Sequence, residues 1–422
     1  MPSKLSEEVK MREELTPAQN KQTWRYVHLL LLAQAVGASA PPIIVSLGGL
    51  IGMELAENKA FATLPVSLYN IGLALSMLPV TLLIRKMGRQ RTYMLGTVFS
   101  FCGGIVAALG IWQSSFMIFC IGTALAGAYA ACVQNYRFAV TDYVPKRQQP
   151  LAISRVMLGG IAAAVIGPQL AIFGANLFDV HFVGSYLSQS VLAVFALLIV
   201  SQIGRATAGL PVQGGLPGAS DGVGEVLEKP RSWREIICSF KLISTVLAAL
   251  TSYGLMTFLM TATPMAMKMS GHSISHATLG VQWHILAMYV PSFVTGKLML
   301  RYGRVNVTIS GLLLIALSCL IYASGESLVS FWGGFILLGV GWNFGFIGAT
   351  SMLTDCYLPS ERTRVQGLND MLVFGTMAVA SLLSGQLLYH VGWMELNLMV
   401  LPPIVIAVLL LCIQKKRDRV NG

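Results

Sequence analysis

Apolar residues run along this chain in blocks of about twenty, set apart by short polar stretches. A bilayer core takes roughly 20 apolar residues per helix. Blocks of that length occur at Val27–Ile51, Leu64–Ile84, Tyr93–Trp112, Phe116–Tyr136, Ile153–Ala175 and Gly184–Gly204. After a polar gap they resume at Leu242–Met265, Leu279–Leu300, Val305–Ala323, Val329–Leu353, Gly367–His390 and Leu396–Ile413. They lack the period-2 alternation of an outer-membrane barrel. The pattern predicts an all-α integral membrane protein of twelve transmembrane helices, numbered here as spans 1 to 12.

The two sets of six repeat one another. TLLIRKMGR after span 2 aligns with GKLMLRYGR after span 8, so that Gly88-Arg89 falls on Gly303-Arg304 at an offset of 215. Gly122 and Gly127 in span 4 fall on Gly334 and Gly339 in span 10. Thr141-Asp142 before Pro145 matches Thr354-Asp355 before Pro359. The order of these landmarks implies a parallel repeat, hence two six-helix bundles. The chain then divides into a tail (1–23), a first bundle (24–204), a central loop (205–241), a second bundle (242–414) and a second tail (415–422). The loop opens Gly- and Pro-rich, as a flexible linker does. Its end, PRSWREIICSFK, reads as an amphipathic helix with Trp233 and Ile236-Ile237 toward lipid.

Composition agrees: the 422 residues are 55% hydrophobic and 11% charged, against roughly 25% charged in soluble domains. Of the 29 Lys and Arg, all but Lys59, Lys268 and Arg137 fall on one side of the membrane. The positive-inside rule makes that side the cytoplasm, with both termini there and the cytoplasmic (inner) membrane as location. The net charge of +11 is thus topogenic and needs no nucleic-acid partner to explain it; the bilayer is the partner it implies. Seven scattered cysteines without a CxxC pair suggest apolar fillers rather than disulfides or a metal site. No HExxH, GxSxG or GxxxxGK[ST] pattern occurs, so neither an enzyme nor an ATP-driven pump is expected, and no cofactor.

With these features the chain resembles the major facilitator superfamily of secondary transporters over nearly its whole length. The carriers are the six-plus-six repeat, the central loop and the loop signature G-x-L-x-D-R-x-G-R. Its second copy keeps Gly296, Leu298, Arg301, Gly303 and Arg304, with Leu300 in place of Asp; its first keeps Leu83, Gly88 and Arg89, with Arg85 in place of Asp. The resemblance implies that these loops hold the cytoplasmic side shut through acidic partners. Asp142 and Asp355, at the ends of spans 4 and 10, stand where such partners belong. The gating set is therefore Arg85, Gly88, Arg89, Asp142, Gly303, Arg304 and Asp355. Gly167-Pro168 in span 5 is a fragment of an antiporter signature.

The resemblance also implies a substrate site near the midplane between the bundles. Polar residues inside spans are costly and become candidates for it. They are Gln34, followed by the helix-disrupting Pro41-Pro42; Tyr69; Arg137, for an anionic group unless it pairs with Asp142 or snorkels; Tyr253 and Thr257 on one face of span 7; His284; and Trp342-Asn343, for stacking on a flat ligand and orienting it. No carboxylate lies mid-span. A coupling proton would thus fall to His284 or to Asp370, about one turn from the inner surface.

The resulting expectation is a monomeric secondary transporter working by alternating access on a small organic solute, flat and weakly charged. The resemblance extends to carriers of vitamins such as riboflavin. The alternatives are a polyspecific drug or metabolite efflux antiporter and a transporter-like sensor.

Overall fold

The computed structural model describes residues 16–145, 148–212 and 231–421. Among them the backbone is helical or in turns, as lipid requires: with no water to bond to, each N–H and C=O must find its partner within the helix. Span 1 begins earlier than the apolar block suggests, at Pro17, because Thr16 forms a capping box with Gln19. Ser115, Ser273 and Ser327 cap spans 4, 8 and 10 in the same simple way, each accepting a backbone N–H from the first turn.

Eleven helical runs are long and apolar enough to cross a membrane. The eighth span differs: it breaks into Ile274–Tyr289 and Ser292–Tyr302. Pro291 is the cause, since it has no N–H to give to the preceding turn. Span 1 is likewise two helices, Pro17–Gly37 and Ala40–Leu55, ahead of Pro41-Pro42. The other spans are Leu64–Met87, Arg89–Trp112, Phe116–Ala139, Gln149–Ala175, Val183–Ser201, Phe240–Met269, Arg304–Ala323, Leu328–Leu353 and Arg362–Val391; span 12 comprises Trp393–Met399 and Leu401–Asn421.

Within each bundle the closest pairs are equivalent: span 3 on span 4 and span 9 on span 10. Between bundles, span 2 packs on span 11 and span 5 on span 8. The repeat exchanges these two contacts, so the bundles are related by a pseudo-twofold axis along the membrane normal. Three hydrogen bonds join the bundles among the described residues: Asn70 Nδ2 to Ser381 Oγ at 3.2 Å, Thr63 Oγ1 to the Leu382 carbonyl at 3.4 Å, and Gln169 Nε2 to Gln282 Oε1 at 2.9 Å. All lie toward the cation-poor end. The ion pairs at the cation-rich end stay within one bundle. The structure is closed at one end and parted at the other.

The central loop departs from its predicted form. The Gly-rich linker falls on 213–230, outside the described residues. The helix after it is five residues long, Trp233–Ile237. Ile236 does not face lipid: it is buried against Leu242, Leu353, Cys356 and Val365, while Trp233 and Ile237 are exposed. Arg231 anchors this end. Its backbone N–H and guanidinium bond the fully buried Glu361 carboxylate at 2.7–3.3 Å, and the guanidinium also donates to the Cys356 carbonyl at 3.0 Å. These hydrogen bonds hold the Glu361 carboxyl down at about 2. Cys102, Cys238 and Cys412 are exposed, and Cys120, Cys132, Cys319 and Cys356 are buried.

Candidate functional site

The two loops singled out by their glycines turn as expected. Gly88 and Gly303 have φ of +83° and +85°, a conformation that costs glycine little. Each ends one helix and starts the next, which aims the following arginine back at the neighbouring span. Arg89 grips both carboxylate oxygens of Asp142, Nη2 to Oδ1 at 2.8 Å. Tyr93 adds a phenol 3.4 Å from Arg89, and Tyr26 ties span 1 to the Ala139 carbonyl one turn earlier. Both charges of this pair are 10% exposed. In the second bundle Arg304 Nη1 reaches Asp355 Oδ2 at 2.6 Å, but these side chains are 44% and 47% exposed. The repeated chemistry is therefore unequal in burial. Arg85 points outward and has no carboxylate partner among the described residues.

Between the bundles lies a cavity of about 1130 Å³, open space at its mouth included. Gln34, Gly37, Ala38, Pro41, Pro42 and Val45 of span 1 form one wall. Prolines 41 and 42 cannot donate, so the Gly37 and Ala38 carbonyls lack their usual helical partners there. Val66, Tyr69, Asn70 and Leu73 of span 2, Ala130, Val133, Gln134 and Arg137 of span 4, and Met157, Gly160 and Ala164 of span 5 complete the first bundle's share. The second bundle contributes Tyr253, Met256, Thr257, Met260 and Thr261 of span 7, Ile285, Met288 and Tyr289 of span 8, and Met377 of span 11.

Five predicted residues thus meet here: Gln34, Tyr69, Arg137, Tyr253 and Thr257. Arg137 does not pair with Asp142, which Arg89 occupies. Its guanidinium lies 4.8 Å from the Phe138 ring centroid, its Nε is buried without a partner, and no carboxylate bridges it among the described residues. Among the described residues it is the one charged side chain of the lining.

Three predicted residues do not reach the cavity. His284 is fully buried between spans 8 and 10, with Nδ1 2.9 Å from the Phe335 carbonyl. Trp342 stacks on Phe346, with 5.4 Å between centroids, and meets the edge of Tyr253 at 5.3 Å. It supports a cavity residue instead of facing the ligand space. Asn343 is also fully buried, and its amide serves the break in span 8: Nδ2 donates to Met288 O and Ser292 Oγ at 2.6 Å each, while Oδ1 accepts from Thr295 Oγ1 at 2.5 Å. Asp370 is exposed seven residues before Met377 on the same face of span 11, toward the parted end.

Tyr289 and the methionines Met157, Met256, Met260, Met288 and Met377 were not anticipated. Methionine in an apolar block signals nothing beyond hydrophobicity. For Tyr289 a signal exists: Pro291 just beyond it marks a kinked span, and kinked spans line cavities.

The Major Facilitator Superfamily model matches residues 29–288 and again 242–421, one match per bundle apart from their overlap. The chain is 47% identical to the riboflavin transporter RfnT of Brucella anthropi, over 93% of this chain and 96% of that protein. It is 30% identical to the MFS-type transporter YdeG of Bacillus subtilis, covering 91% and 90% of the two chains. Among solved structures, a bacterial homologue of the human lysosomal transporter Spinster, inward-facing and unoccupied, superposes with a TM-score of 0.69 at 15% identity, over 94% of this chain and 97% of that one. The nucleoside transporter NupG gives 0.65 at 13%, over 94% and 99%. At such identities these two structures speak to the fold alone. Bundles, cavity and relatives agree: the chain belongs to the Major Facilitator Superfamily and is a multi-pass membrane transporter of a small organic solute.

Proposed function

We propose that this carrier moves riboflavin, or a flavin very like it, across the cytoplasmic membrane by alternating access. The observation that carries the reading is the 47% identity, spread over nearly the full length of both chains, to a protein named as a riboflavin transporter. The cavity supports it. A tricyclic ring asks for a flat, polarisable, largely apolar slot, and here methionine thioethers and tyrosine faces supply one. The solute is neutral with a hydrogen-bonding edge, which suits a lining that among the described residues has one cation and no carboxylate.

Positive-inside orientation puts the parted end in the cytoplasm, so the conformation is inward-facing. Asn70–Ser381, Thr63–Leu382 and Gln169–Gln282 are then the outer gate. Arg89–Asp142 and Arg304–Asp355 hold the two cytoplasmic loops against their own bundles, giving the inner gate two rigid jaws. The coupling proton is assigned to Asp370, which faces the opening, and not to His284, which is sealed from it. The carrier acts as a monomer, since one chain encloses the pathway.

The test is exchange of labelled riboflavin by the purified chain in proteoliposomes. Saturable uptake that unlabelled riboflavin accelerates from the far side is expected. Folded protein that exchanges no flavin sinks the reading, and weak exchange of many unrelated drugs replaces it with polyspecific efflux.

A further inference from the structure

Tyrosine hydroxyls inside a membrane protein are costly to leave unpaired. In this chain three buried phenols of the first bundle spend theirs: Tyr26 donates to the Ala139 carbonyl at 2.8 Å, and Tyr129 and Tyr136 share a contact of 3.3 Å. Three phenols differ. Tyr69, Tyr253 and Tyr289 line the cavity, and none has a hydrogen bond to a described residue. Nor are their oxygens sealed, in contrast to that of Tyr186. They remain open to whatever fills the cavity.

Their rings are held in place. Tyr253 sits edge-on to Trp342, Phe346 and Phe374 at 5.3, 4.7 and 6.4 Å. Span 5 passes so close to Tyr289 that a methyl group at Gly160 would lie 3.1 Å from its ring. Rigid rings with free hydroxyls make a preorganised polar patch. Arg137 lies in the same cavity with no carboxylate partner among the described residues.

We propose that Tyr69, Tyr253, Tyr289 and Arg137 form the subsite for the imide edge of the flavin ring, where a carbonyl, an N–H and a second carbonyl stand in a row. Guanidinium and phenol O–H groups donate to the two carbonyls, and a phenol oxygen accepts from the N–H between them. A phenol both donates and accepts, so three of them with one fixed donor match the acceptor–donor–acceptor order. The polyol chain of riboflavin offers no concentrated acceptor for a cation, and it is left toward the mouth. Tyr69 comes from one bundle and Tyr253 and Tyr289 from the other, so the bound edge also bridges the parts that must move. This inference rests on the flavin reading above.

The experiment is competition against labelled riboflavin with two analogues, on the full chain in proteoliposomes. Lumiflavin keeps the imide edge and lacks the polyol; N3-methylriboflavin keeps the polyol and blocks the imide N–H. Lumiflavin is expected to compete within about 3-fold of riboflavin, and N3-methylriboflavin at least about 10-fold more weakly, the worth of a hydrogen bond left unmade. Tyr253→Phe and Tyr289→Phe should each weaken riboflavin by about 3- to 10-fold. In whichever of them binds the N–H, the penalty on the N3-methyl analogue should also shrink, with the melting temperature unchanged. Equal competition by N3-methylriboflavin, or Phe variants that keep both affinity and discrimination, overturns the subsite while leaving flavin transport intact. Absence of riboflavin binding by folded wild-type protein overturns the flavin reading itself, and the subsite with it.

Discussion

Asn343 donates its side-chain amide to the carbonyl of Met288 across a 2.6 Å gap between spans 10 and 8. The break before Pro291 denies that carbonyl its helical partner, and a side chain from the neighbouring span takes over. Ser292 and Thr295 complete the arrangement on the far side of the break. One asparagine thus lets span 8 bend and place Tyr289 and Met288 at the cavity wall.

Asn343→Leu should therefore act on stability. It leaves the buried Met288 carbonyl without a partner, at a cost of about 1–3 kcal/mol, while Thr295 keeps the Pro291 carbonyl at 2.8 Å. The expected result is a lower melting temperature in detergent, with riboflavin affinity of the surviving folded fraction within about 3-fold of wild type. A large loss of affinity at unchanged melting temperature would return Asn343 to the ligand.

The paired loops call for unequal outcomes from equal mutations. Arg89→Ala strands the Asp142 carboxylate in a site where both partners are 10% exposed, and removing one member of a buried pair costs roughly 3–5 kcal/mol. Arg304→Ala breaks a pair that is nearly half exposed, of a kind worth about 0–1 kcal/mol. Thermal unfolding of both variants side by side checks this. Equal losses would mean that the second pair is covered by lipid or by another segment.

Glu361 ties the central loop to the second bundle, and its carboxyl is held at about 2, well below the ordinary 4.5, chiefly by Arg231. A depressed carboxyl contributes stability that is whole above its unfolded value and lost as pH falls through the folded one. The contribution is thus complete above about 4.5 and fades between about 4.5 and 2. Glu361→Gln should melt earlier than wild type at pH 7, and the difference should narrow once the pH drops below that upper value. A difference that stays constant down to pH 3 would assign the effect to packing alone.

How much of this was legible beforehand depends on which kind of signal each residue carries. Span number, the Gly88 and Gly303 turns and the Arg89–Asp142 and Arg304–Asp355 pairs were readable, because bilayer thickness, positive φ and charge leave marks at fixed spacing. Gln34, Tyr69, Arg137, Tyr253 and Thr257 were readable as polar residues in apolar blocks. Rotation about the helix axis was not. A helix apolar all round carries no amphipathic stripe to say which side faces inward, so Trp342 and Tyr289 could not be told apart in role: one backs the cavity and the other lines it. His284 failed for the same reason, and Asn343 because its partner, the break in span 8, is itself a tertiary feature.

Rotation also separates the two candidate proton carriers. Asp370 shares a face with Met377 and looks toward the parted end; Asn369 donates to it at 3.2 Å, and no cation bridges it among the described residues. His284 has one ring nitrogen on the Phe335 carbonyl and the other buried without a partner, with no route to water in this conformation. Asp370→Asn should then abolish riboflavin accumulation driven by a pH gradient while leaving exchange within about 3-fold of wild type. His284→Leu should retain gradient-driven accumulation. Comparing the two modes of transport in the same proteoliposomes separates coupling from binding. Decoupling by the His284 change, or full coupling in the Asp370 variant, would move the proton to the other residue.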